Sequence, residues 1–190
     1  MIKSLATSSI TNEKKYRSMM AGSMENNADH LITEIVLGST VSSVSFDVSS
    51  LAVLGYKHLQ IRYVAKHSAD QNGMMQFNGD TGSNYWWHQI VGNGSSASSY
   101  GSNATWMQIG YGPNSSTIPT ASIIDILDFS STNKNKTIRT LTGCAYSGTL
   151  NIKLMSGSWS NTAAITSISM SEILGGYQIG SRFSLYASKG

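Results

Sequence analysis

Apolar and polar residues alternate along most of this chain with a period of two. Val44, Phe46 and Val48 alternate with Ser43, Ser45 and Asp47, and Leu59, Ile61 and Tyr63 with Gln60 and Arg62. Leu150, Ile152 and Leu154 do the same with Asn151 and Lys153, and Phe183 and Leu185 share one face near the end. Successive side chains of a strand point to opposite faces, so each run predicts a half-buried strand with its apolar members in the core. Ile123 to Leu141 shows the unit most completely. Ile124, Ile126 and Phe129 oppose Asp125 and Asp128, with an irregularity at Leu127 that predicts a bulge, and Ile138 and Leu141 resume the apolar face. Ser130 to Lys136 between them is too polar to bury and too short for a crossover helix, which predicts two antiparallel strands joined at the surface.

Further strands are expected over Leu31 to Leu37, Met75 to Phe77, Tyr85 to Val91, Thr105 to Gly110, Ile118 to Phe129, Ala163 to Met170 and Arg182 to Tyr186. Ser49 to Gly55 reads as a short turn of helix, Gly92 to Asn103 (GNGSSASSYGSN) as a flexible loop, and Gly157 to Asn161 as a turn around Trp159. The total is roughly ten strands with short connections and no fixed repeat, which predicts an all-β antiparallel sandwich of jelly-roll type rather than a propeller or solenoid. Residues 28–190 form that domain. Residues 1–27 differ in character, being strand-poor and rich in Lys and Met, and read as an N-terminal arm, partly helical or extended. Thr11 is a candidate N-cap for Asn12 to Met20, which would set Tyr16, Met19 and Met20 on one face. Nothing in the arm can bury that face, so it is either a frayed terminus or a segment that orders against a partner.

Composition sharpens this picture. Charged residues make up 12% of the 190 residues, against about 25% in an ordinary domain, and Gly, Ser, Thr and Asn are abundant. Exposed strand faces must then be rich in hydroxyls and amides, as on surfaces that pack against copies of themselves or meet carbohydrate. The net charge of +3 comes from Lys and Arg largely near the ends, without the clustered basic stripe of a nucleic-acid surface. The single cysteine, Cys144, reads as a buried structural thiol. No run of about 18 apolar residues predicts a membrane span and no secretory leader is visible, so a soluble protein made in a cytoplasm is expected.

Catalytic spacing is weak throughout. Asp125 and Asp128 stand three apart, which in a regular strand puts them on opposite faces rather than across a cleft. His58, His67 and His88 lack zinc-binding spacing, and no GxSxG motif occurs. Asn78, Gly79 and Asp80 suit a plain turn, with a calcium loop as the alternative. No enzyme, cofactor or metal is therefore expected. Trp86 and Trp87 must point to opposite faces if they share a strand, leaving one exposed or at an interface. Together with Tyr100, Trp106 and Tyr111 they are candidates either for core and subunit contacts or for a sugar-stacking platform.

Several stretches resemble structural proteins of tailed-bacteriophage virions, especially short fibres and decoration proteins. Ser8 to Gly22 (SSITNEKKYRSMMAG) resembles a short virion-anchoring leader. HLQIR at His58 to Arg62, FNGDTGSNY at Phe77 to Tyr85, IDILDFSSTNKNKT at Ile124 to Thr137, WSNTAAITSI at Trp159 to Ile168 and GSRFSLY at Gly180 to Tyr186 resemble the jelly-roll module that ends such proteins. The resemblance implies a non-enzymatic virion protein, trimeric, anchored to other virion proteins through Tyr16, Arg17, Met19 and Met20. It also implies a role in host attachment, with a carbohydrate-binding receptor module or a polysaccharide-degrading enzyme as alternatives. A shaft is missing from the pattern, which points to a short fibre, tip or decoration protein.

Overall fold

The computed structural model describes residues 29–146 and 149–189, and the arm with its four expected anchoring residues lies outside them. Twelve strands are present among the described residues: β1 (His30–Val36), β2 (Ser43–Asp47), β3 (His58–His67), β4 (Gln71–Phe77), β5 (Tyr85–Gly92), β6 (Ala97–Ala104), β7 (Met107–Gly112), β8 (Ser115–Leu127), β9 (Lys136–Tyr146), β10 (Thr149–Trp159), β11 (Ser167–Glu172) and β12 (Arg182–Ser188). Every strand-to-strand pairing is antiparallel. They make one sheet in the order β1-β12-β3-β8-β9-β10-β5-β6 and a second in the order β2-β11-β4-β7.

The pairs β1 with β12, β2 with β11, β3 with β8 and β4 with β7 are nested like brackets. That nesting, shared between two facing sheets, is the jelly roll. Two hairpins are inserted into it. β5 and β6 lie between β4 and β7, β9 and β10 between β8 and β11, and both hairpins join the same sheet, widening it from four strands to eight.

The core lies between the sheets, where the alternating residues meet: Val44 and Phe46 from β2, Leu59, Ile61 and Tyr63 from β3, Ile124 and Ile126 from β8, Phe183 and Leu185 from β12. Four expectations need correction. Gly92 to Asn103 is mostly strand β6, whose Ser and Gly residues suit an exposed edge pairing along β5. Ser49 to Gly55 forms hydrogen-bonded turns rather than helix. Trp159 ends β10 and is buried in the core rather than sitting on a turn. Leu127 is no bulge: alternation holds to the end of β8, and the irregularity is Asp128, whose φ of 51° turns the chain so that Phe129 enters the core.

One turn locks the two sheets together. Asn78 and Gly79 have φ of 53° and 68°, the left-handed pair that a tight turn requires, and the Asp80 amide closes it on the Phe77 carbonyl at 2.9 Å. The Asp80 carboxylate then accepts from Trp159 Nε1 at 2.7 Å, Asn84 Nδ2 at 2.9 Å and the Gly82 amide at 2.8 Å. Burial pushes this carboxyl group up, yet the bonds from Trp159, Asn84 and Gly82 outweigh it and hold the acid below its usual range. Because the folded state favours the carboxylate, its stabilisation is full above about pH 4 and is lost as pH falls through the folded value. Asp80→Ala, which strands the buried Trp159 donor, is expected to lower unfolding free energy by about 2 kcal/mol in urea titrations at pH 7. The gap to the parent protein should narrow in acid.

Candidate functional site

The outer face of the eight-stranded sheet has no partner layer among the described residues, and its register sorts side chains into rows that cross the strands. One row runs Arg182, Val64, Ala121, Gly143, Ile152, Gly92. The next runs Ser184, Arg62, Ile123, Leu141, Leu154, Ile90. Val64, Ile123, Leu141, Ile152, Leu154 and Ile90 are each 43 to 57% exposed. Together they form a patch on the order of 500 Å², at the top of what a soluble monomer usually shows.

The two following rows are polar: Tyr186, Gln60, Asp125, Arg139, Ser156, His88, Gly101, and then Leu127, Thr137, Ser158, Trp86, Asn103. Gln60 Nε2 donates to Asp125 at 2.8 Å, Arg139 lies 3.5 Å from the same carboxylate, and the Arg62 guanidinium covers the Tyr186 ring at 4.3 Å. The sheet face is therefore divided across its strands into an apolar half and a polar half.

The five candidate aromatics do not form one platform. Trp86 alone faces out of the large sheet, 55% exposed. Trp87 points the other way, as the alternation of β5 demands, and stacks on Trp106 with centroids 6.1 Å apart and planes 21° from parallel. Tyr100, on the edge strand β6, pairs with the inward Gln89 and so stands on the opposite face from Trp86. Tyr111 lies on β7 beneath the Lys153 ammonium, 5.2 Å from its ring. Of the two readings of these residues, a shared stacking surface is not formed: Trp86 and Tyr100 are exposed on opposite faces, and Trp87, Trp106 and Tyr111 are partly buried.

Alternation also misled at β10. Ile152 and Leu154 face solvent, whereas Lys153 is 5% exposed and lies where β7 packs against β9, β10 and β5. Its Nζ donates to Asn72 Oδ1 at 3.0 Å, and Gln108 donates to the same oxygen at 3.0 Å and to Gln89 at 3.2 Å. Burial pulls the lysine down to about 8, with the Cys144 thiol opposing it slightly. Cys144 itself is half-buried and pushed up by burial. Close by, where Glu172 pairs with Gly73 next to Asn72, His67 and Glu172, from opposite sheets and both buried, are hydrogen-bonded through Nδ1 and Oε1. Gly112 leaves the room: a Cβ there would lie 2.1 Å from the imidazole.

The carboxylates serve structure. Asp125 is held by Gln60 and Arg139, Asp128 by Lys134 with His58 at 3.7 Å, Glu34 by Ser184 at 3.0 Å, and Glu172 by His67. Asp80, the candidate calcium ligand, directs its oxygens at Trp159, Asn84 and Gly82. His88 lies in the polar half of the outer face, far in register from His67. Comparison with known protein families and with curated proteins yields no match for this chain.

Lys153 sets a pH test for the interior. The folded chain binds this proton less tightly than the unfolded one, so between about pH 8 and 10 the unfolded state holds more protons and stability rises with pH. Lys153→Met should flatten that rise, measured as urea midpoints at pH 7.5, 8.5 and 9.5. Above that window Tyr63 and Tyr85, pushed up to about 12 by burial, reverse the trend.

Proposed function

We propose that this chain is a non-enzymatic structural protein of a bacteriophage particle, assembled as a homotrimer through the apolar half of its large sheet. Self-association is carried by one observation, the adjacent rows of half-exposed aliphatic side chains on β3, β8, β9, β10 and β5. A second copy is a fitting cover because the patch and its polar border match the apolar centre and polar rim of a protein interface, which buries roughly 800 Å² per partner. Placement in a virion and the threefold state rest on the resemblance of the sequence to short fibre and decoration proteins. The absence of catalysis rests on carboxylates that are each committed to structural partners.

The full chain is expected to sediment at about three times its 20.4 kDa at micromolar concentration. Leu154→Lys, on the solvent face of β10 where it costs the fold little, should convert it to monomers. A monomeric parent would sink the assembly reading, and a stable dimer would replace the trimer. Deleting residues 1–23 should leave folding and assembly intact but remove the protein from purified particles, as judged by particle mass spectrometry. Full occupancy by the truncated chain would exclude the arm as anchor.

A further inference from the structure

The polar half of the outer face contains a trough where the two inserted hairpins meet. Ser156 lies between Arg139 and His88, and Ser158 between Thr137 and Trp86. Short serines on β10 flanked by longer side chains on β9 and β5 make a channel of about 590 Å³, with Gly101 and Asn103 at its far wall. That volume lies within the ~300–1,000 Å³ of ordinary small-molecule sites. We propose that the trough binds a neutral pyranose unit of a glycan, stacked on Trp86 and hydrogen-bonded by His88, Asn103, Thr137, Ser156 and Ser158.

Three observations converge on this ligand. The Trp86 indole is more than half exposed although its neighbour Trp87 packs inward, so the side chain does little for the core and keeps a large apolar face in water. A sugar ring has the complementary character, with a C–H face that stacks on an aromatic and hydroxyls around its edge. The hydroxyl, amide and imidazole groups around the indole are free to meet those hydroxyls: none of those five side chains has a hydrogen-bond partner among the described residues. Charge selects the neutral class. No carboxylate lines the trough, and the neighbouring Arg139 is already compensated by Asp125 at 3.5 Å. The same lack of a carboxylate pair makes this a site that holds a glycan without cleaving it.

The site is built from other residues than the apolar centre of the proposed assembly surface. Rows of a strand face are about 7 Å apart, so the Ser158–Trp86 row that carries the stacking indole lies two rows, about 14 Å, beyond Leu154 and Ile90. Its failure and the failure of self-association are therefore read by different experiments.

Saturation-transfer NMR on the full-length protein, with the methyl glycosides of glucose, galactose, mannose and N-acetylglucosamine and with methyl glucuronide as the acidic arm, tests the assignment. At least one neutral glycoside should receive saturation through its ring C–H protons and half-saturate at roughly 1–10 mM. Trp86→Ala should weaken binding by at least about tenfold, and so should Ser156→Phe, which leaves the indole in place and fills the trough. Tyr100→Ala, on the opposite face, should bind as the parent does. If Trp86→Ala fails to fold by circular dichroism, Ser156→Phe carries the test. Saturation of no neutral glycoside below about 50 mM, binding of the glucuronide alone, or a signal unchanged in the folded variants would overturn the proposal.

Discussion

An eight-stranded sheet faces a four-stranded one, and the difference in width governs the remainder of this molecule. At about 4.8 Å per strand, the inserted hairpins extend the large sheet by roughly 19 Å beyond the jelly-roll frame. β7, the edge of the small sheet, is the strand that packs beneath the extension, reaching β9, β10 and β5. Under the frame the interior is aliphatic and aromatic. Beneath the extension amide and amine groups join the apolar side chains of Ile138, Met155, Trp159 and Tyr85: Gln89, Gln108, Asn72 and Lys153 share hydrogen bonds, and the Trp87–Trp106 stack closes the rim.

Such an interior is costly unless its members satisfy one another, because each loses water on folding. The Asn72 carbonyl oxygen takes both the Lys153 ammonium and the Gln108 amide, so a small displacement of β4 breaks two bonds at once. An apolar contact would tolerate sliding, whereas this one fixes β4 of the small sheet against β10 of the large one. His67 and Glu172 do the same nearby, joining β3 of one sheet to β11 of the other. The sandwich is thus filled by apolar packing and registered by a few buried polar contacts between its sheets.

The frame was legible because its strands obey a simple rule. In β2, β3, β8 and β12 one face meets the core and the other meets water, and alternation of Val44 and Phe46 or Leu59 and Ile61 reports that directly. The rule failed where both faces changed character. Leu150, Ile152 and Leu154 were expected inside, yet the outer face of β10 is aliphatic and the inner face carries Lys153, so the same alternation appears with the opposite sense. Periodicity gives the faces of a strand but not which one is buried. The β6 edge was missed for a related reason: Ser98, Ser99, Gly101 and Ser102 have no apolar face to display, and only the β5 backbone makes them a strand. Of the candidate site, the exposure of one indole of the Trp86–Trp87 pair was foreseeable from strand geometry. Its neighbours Ser156, Ser158 and Asn103 were not, since they come from strands far apart in sequence.

Both candidate surfaces lie largely on the insertions. β9, β10 and β5 supply Leu141, Ile152, Leu154 and Ile90 to the apolar half, and with β6 they supply the walls of the trough. The jelly-roll frame contributes chiefly the edge of the patch, through Val64 and Ile123. Because a hairpin can be added to a sheet edge without disturbing the nested pairs, the frame keeps its core while the added strands take on new contacts. A continuous sheet also holds the two halves at a fixed spacing, as loops would not, and the β10 backbone runs through both. A group of copies packed on the apolar half would therefore present its troughs in one rigid arrangement. Weak binding at each trough would then add up across the assembly, since rigid spacing makes every binding event after the first intramolecular.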